Sequence, residues 1–154
     1  MMSAYSDAVK MLARRELSEA QIRQRLARRQ HPAAAIDSAV DRLRELGAID
    51  DERVAEAIAR TQIATKRRGE LRARQEILRA GISRDTAQRV AREVSQSVGP
   101  EAVLEAALTR RLRGRDQIAD EREYARLHRY LIGQGFEPDR VLSALKKHGG
   151  RKGR

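Results

Sequence analysis

An all-α protein, built as three tandem three-helix repeats in an elongated, curved array, is what this 154-residue sequence predicts. Three observations lead there. One pattern recurs three times: Ile22–Leu26–Gln30–His31–Ile36–Val40, then Ala73–Ile77–Gly81–Ile82–Ala87–Ala91, then Leu127–Leu131–Gly135–Phe136–Val141–Leu145. The spacing inside each copy is four, four, one, five and four residues, and the copies are offset by 51 and 54. Self-similarity at such a period signals stacked units that bury their core against neighbours. Second, Ala, Leu, Arg and Glu dominate, β-branched runs are absent, and aromatics make up 3%. A helical core of Leu, Ile, Val and Ala follows. Third, a unit of this length alone would be marginal in core size. An extended binding surface suits such an array better than an enzyme's pocket.

The elements follow in order. A first helix over 6–15 places Val9 and Leu12 on its apolar side. Ser18-Glu-Ala-Gln21 is a capping box that opens the next helix, and His31-Pro32 breaks it, because a residue before Pro is pushed out of the α region. Ile36, Val40 and Leu43 mark one face of the third helix, which Gly47 stops. Asp50 suits an N-cap, while Asp51 and Glu52 complement the positive end of a fourth helix with Val54, Ala55 and Ile58 inward. A basic join, Lys66-Arg67-Arg68-Gly69, leads to a fifth helix ending at Gly81, and Ser83 caps a sixth carrying Ala87, Val90 and Val94. Pro100 stands at the first position of a seventh, where no N–H is needed, with Leu104, Leu108 and Leu112 as its stripe. After a loop at 113–116, Tyr124, Leu127 and Leu131 share a face of the eighth helix, and Pro138 begins the ninth. The units are expected at 5–48, 49–98 and 99–148, with a disordered basic tail at 149–154.

Catalysis is excluded on composition. There is no Cys, and His31, His128 and His148 lie far apart without ligand partners at helical spacing. The glycines fall singly at helix ends, so no phosphate loop exists. His31 occupies the place of Ile82 and Phe136, which makes it a packing residue at the turn. Asp50 and Asp51 point about 100° apart on a helix, and capping explains them better than metal binding. Neither enzyme activity nor a cofactor is expected. No apolar stretch approaches the roughly 20 residues of a membrane span, and no hydrophobic signal core is present, so a cytoplasmic protein is expected. With no long unpaired apolar stripe left once the repeats stack, a monomer is expected.

The net charge of +11 favours a polyanionic partner. It rises along the chain: residues 1–50 hold nine cations against seven anions, 51–96 eleven against seven, and 97–154 thirteen against eight. Lys66, Arg67, Arg68, Arg72, Arg74 and Arg79 cluster in and after the join of the second unit, with Arg72 and Arg79 two turns apart on one face. Arg110, Arg111, Arg113 and Arg115 form a second cluster, and Arg122, Arg126 and Arg129 a stripe at three-to-four spacing. Helix, Gly turn and helix also match a helix-turn-helix DNA reader, whose recognition helix would lie at 83–96 or 137–148, exposing Arg84, Arg89 and Arg92 or Arg140 and Lys146. Composition and spacing leave protein or filament binding and direct DNA reading near parity.

The string Leu46-Gly-Ala-Ile-Asp50-Asp51-Glu-Arg-Val54-Ala-Glu56, followed by Arg60, resembles the signature of the RecX family of RecA recombinase regulators. Leu127-His-Arg-Tyr-Leu131-Ile-Gly-Gln-Gly135-Phe136-Glu-Pro-Asp-Arg-Val141 is similar to that family's C-terminal unit. The likeness runs from Tyr5 to Lys147. Val54 departs from it, standing where the family usually has Phe, and Arg67-Arg68-Gly69-Glu70 replaces a Gly-aromatic-Gly-Pro run. The resemblance implies binding in the groove of a RecA–DNA filament, with single- or double-stranded DNA as a further partner. It also implies suppression of strand exchange, ATP hydrolysis and co-protease activity. On it, Arg67, Arg68, Arg72, Arg74, Arg126 and Arg129, with Arg79 beside them, supply the contacts to filament or phosphate. Asp50, Asp51 and Gly135 serve the fold.

Overall fold

A computed structural model describes residues 2–149. Among the described residues every regular element is helical: α1 (Ala4–Arg14), α2 (Glu19–Arg28), α3 (Ala33–Glu45), α4 (Asp51–Arg60), α5 (Glu70–Arg79), α6 (Arg84–Val98), α7 (Pro100–Leu112), α8 (Glu121–Gly133) and α9 (Pro138–Lys147). The expected caps form. Ser18 and Gln21 make a reciprocal capping box on α2. The Asp50 carboxylate accepts from the backbone N–H groups of Glu52 and Arg53, and Pro100 opens α7. An element the periodicity does not announce is a π-helical turn, Thr61–Thr65, which prolongs α4. It buries Gln62, whose backbone and side-chain oxygens both accept from Arg68, at 2.9 and 3.0 Å.

The repeated positions form the core. Ile22, Leu26 and Val40, Ala73, Ile77, Ala87 and Ala91, and Leu131, Val141 and Leu145 are all fully buried. Helices α1–α3, α4–α6 and α7–α9 pack as triplets, and α6 on α7 links the second to the third. The apolar interior is nevertheless divided in two, not three. One cluster belongs to α1–α3, and the other runs continuously through α4–α9. Ile49, read as opening the second unit, buries its side chain in the first cluster. The accessible surface is 9728 Å², against roughly 7,900 Å² for a compact protein of this mass. The array is elongated.

Two expectations are corrected in the first unit. Helix α1 turns Ala4, Asp7, Ala8 and Met11 inward, while Val9 is 42% exposed and Leu12 only flanks the core. A polar residue takes an inward place because Asp7 receives the His31 ring at 2.6 Å and Arg29 at 3.2 Å. His31 does sit at the turn where Ile82 and Phe136 sit, but a hydrogen bond to Asp7 holds it there. That contact keeps the Asp7 carboxyl below the usual carboxylate range, with burial opposing and Arg29 assisting. At the other end, Gly149 belongs to the close of α9, in left-handed conformation against Gln117. The rest of the expected tail, 150–154, lies outside the described residues.

The units dock by a device that also repeats. Ser18, the N-cap of α2, donates its hydroxyl to the Ala80 carbonyl at the α5–α6 turn (2.5 Å). One repeat later, Gly69, the N-cap of α5, donates its N–H to the Gln134 carbonyl at the α8–α9 turn (2.9 Å), and Leu71 donates to Gly135 (3.0 Å). Asp51 strengthens the first junction by accepting from the Glu19 N–H at 2.9 Å. The turn residues explain their own chemistry. Gln30, Gly81 and Gly135 are equivalent and all left-handed, with φ of 67°, 81° and 90°. A Cβ on Gly81 would stand 2.5 Å from the Ala20 Cβ, and one on Gly135 2.3 Å from the Arg72 nitrogen. Gln30 takes the same place, side chain included, in the turn of the first unit.

Candidate polyanion-binding surface

Docking of α5 on the α8–α9 turn forms a groove. It holds about 370 Å³ and is lined by Leu71, Arg72, Arg74, Ile132, Gly133 and Phe136 among others. Arg126 and Arg129 are exposed on α8, one to two turns before Gly133, and are not part of its lining. Arg79 lies at the far end of α5, in a separate cleft of about 390 Å³ between the first and second units.

The seven arginines divide by partner. Arg72 and Arg79 both grip Glu76, at 3.1 and 3.0 Å, which confirms their shared face but occupies their charge within α5. Arg68 is held by Gln62. Among the described residues the side chains of Arg67, Arg74, Arg126 and Arg129 form no hydrogen bond or ion pair; Arg74 and Arg126 act on Glu70 and Glu123 only through space. Arg67 is exposed in left-handed conformation (φ 55°), and the Arg74 Nε is buried without an acceptor. Beside it, Glu70 is pushed above the usual carboxylate range by burial and by Glu137.

Other basic groups turn out to be braces. Arg89 is bidentate on Glu52 at 2.6 and 2.7 Å, joining α6 to α4. Arg140 binds Glu101 at 2.5 Å. Both lie on the helices a helix-turn-helix reader would insert into DNA. Arg111 stacks over the Tyr130 ring at 3.7 Å. Arg115 clamps Glu123 with both guanidinium nitrogens and donates to the Leu112 carbonyl at 3.1 Å. Sequence reading did not reach Arg15, which lines the inter-unit cleft opposite Arg79; its position after the end of α1 looks like ordinary helix termination.

The Glu123 clamp carries a pH signature. Arg115, then the Ala119 N–H at 2.8 Å, hold the Glu123 carboxyl down at about 2, against an ordinary 4.5. A depressed carboxylate contributes stability that is complete above its unfolded value and lost as pH falls toward the folded one. Thermal melts should therefore show wild type losing its advantage over Glu123→Gln as pH drops from above 4.5 toward 2. A constant gap would refute the clamp. His148 has the opposite sign: burial lowers it, but the Asp116 carbonyl (2.9 Å) and the Glu105 carboxylate outweigh burial and raise it above 6.5. Its contribution is present at low pH and fades as pH rises through the folded value.

Among the described residues, no group of three or more His, Asp or Glu converges as a metal site, and no helix is long and apolar enough to cross a membrane. Sequence models of the first and second three-helix domains of RecX match residues 4–43 and 50–90. The chain is 33% identical over 139 residues to the regulatory protein RecX of Acidithiobacillus ferrooxidans, covering 90% of this chain and 85% of that protein. It is 31% identical to the regulatory protein RecX of Syntrophotalea carbinolica, over 86% of this chain and 88% of the relative. The crystal structure of RecX from Lactobacillus salivarius superposes with a TM-score of 0.79 at 17% identity, covering 95% and 94% of the two chains. With two domain models in register with the first two triplets and relatives matched over most of their length, this chain belongs to the RecX family of regulatory proteins.

Proposed function

We propose that this protein is a non-enzymatic regulator that lies in the groove of a RecA filament on DNA and restrains strand exchange, ATP hydrolysis and co-protease activity. The observation that carries this reading is a RecX-family fold whose second and third triplets hold arginines without a side-chain partner among the described residues, Arg67, Arg74, Arg126 and Arg129. Uncommitted guanidinium forks suit phosphate and carboxylate together. A nucleoprotein groove offers both. The units at 5–48, 49–98 and 99–148 would act as one monomeric, cytoplasmic arm, with Arg68, Arg72 and Arg79 shaping the surface.

The test is binding of the purified protein to a RecA filament on single-stranded DNA, against the same DNA naked, at several salt concentrations, with ATP hydrolysis followed in parallel. Preference for the filament, with hydrolysis falling as sites fill, is the expected result. Equal affinity for both with unchanged hydrolysis would replace this reading with a general nucleic-acid binder.

A further inference from the structure

We propose that the cleft between α1 and α2 in the first unit is a separate phosphate-chain site, which takes the sugar–phosphate backbone of a nucleic-acid strand. The cleft holds about 540 Å³ and is lined by Lys10, Arg14, Arg15, Arg25, Arg28 and Arg29, with Met11 beside them and no carboxylate. Lys10 and Arg14 stand one turn apart on α1, and Arg25 stands one turn from Arg28 and Arg29 on α2, so two cationic rows line one opening.

These charges are uncommitted. Among the described residues, Arg14, Arg15, Arg25 and Arg28 form no hydrogen bond or ion pair from their side chains, and the Lys10 ammonium reaches only the Met2 sulfur at 3.5 Å. Arg29 alone has an acid, Asp7. None of the unit's other acids lines the cleft, and most are engaged elsewhere: Glu16 and Asp50 with Arg53, Glu19 with Arg23 and Arg44, Asp37 with Arg23, and Asp41 with Arg44. The first fifty residues are the least basic part of the chain in sum, yet five of their nine cations, Lys10, Arg14, Arg15, Arg25 and Arg28, pair with no acid among the described residues and line this one cleft. Offsetting the helix dipoles accounts for Arg14 and Arg15 at the end of α1 and for Arg25 and Arg28 in the last turn of α2. It does not account for Lys10, nor for the two helix ends lining one opening without a carboxylate.

The lining selects the ligand. A bound acidic protein segment draws its affinity from apolar anchors seated in pockets, and Met11 is the one apolar side chain here. A phosphodiester chain needs only closely set charge and guanidinium forks. Arg15 also lines the next cleft, with Arg79, and the Arg79–Glu76–Arg72 ladder continues to the α5 groove. A strand leaving the first site would meet Arg15 and Arg79 in the next cleft beside the carboxylates of Glu16 and Glu76, so the uncompensated charge is confined to the first site.

The test uses the full chain and a labelled oligothymidylate, without recombinase, so its outcome is independent of the filament reading. Arg14→Ala/Arg25→Ala/Arg28→Ala should bind about tenfold more weakly, with the log–log salt slope shallower by about 2, three contacts at roughly 0.7 each. Arg14→Ala/Arg28→Ala, which spares the half-buried Arg25, should lower the slope by about 1.4. Lysine at all three positions should keep the slope. Unchanged affinity and slope in the folded alanine variants would overturn the proposal. So would competition by polyglutamate but not by unlabelled oligonucleotide, which would assign the cleft to an acidic protein.

Discussion

Gly135→Ala should lower the melting temperature by roughly 10 °C, from a cost of about 2–4 kcal/mol in a domain of this size. Two effects add. Gly135 has φ +90°, where an L side chain is strained. Its Cβ would also stand 2.3 Å from the Arg72 nitrogen and 2.4 Å from the Arg72 Cβ, so α5 would have to lift from the α8–α9 turn. The Gly69–Gln134 and Leu71–Gly135 hydrogen bonds would go with it. Gly47→Ala separates the effects, since Gly47 is left-handed (φ +74°) with nothing within 4 Å of a Cβ; only the strain, about 1 kcal/mol, should appear. Gly69→Ala gives the converse, an ordinary φ of −87° with a Cβ 2.2 Å from the Gly135 carbonyl oxygen. Equal melting losses for Gly47→Ala and Gly135→Ala would show that the docking contributes nothing.

Charge reversal at Arg67, Arg126 and Arg129 should weaken filament binding by about 10- to 100-fold while leaving the melt nearly unchanged. None of the three forms an ion pair, and all are exposed. Their removal costs the fold little, but each reversal turns an attraction to the polyanion into repulsion. Arg72 is a poor probe of the same question. Arg72→Glu would set a carboxylate against Glu76 and disturb the contact with Gly135, so a loss of binding there would mix affinity with stability. Full filament affinity in the Arg67/Arg126/Arg129 triple variant, titrated at moderate salt, would remove these residues from the proposed interface.

The helices and their register were legible because their signals are local. A capping box such as Ser18–Gln21, a Pro at the first helical position or an apolar residue every three to four places acts within a turn or two of itself. The same reading misplaced α1. There the polar Asp7 faces inward, and its reason, His31, lies 24 residues away. The second basic cluster looked like a surface for ligands, but Arg115 is spent on Glu123 and Arg111 on Tyr130.

By itself the sequence determined an all-helical chain of repeated triplets, its caps, its buried positions, its cationic character and its family. The tertiary structure alone decided which cations remain free, where the triplets dock and how the core divides. Helix periodicity and capping are short-range and written in neighbouring residues. Charge pairing is made across space, as Arg89 with Glu52 over 37 residues and Arg140 with Glu101 over 39, and a free arginine is known only when every possible partner has been placed.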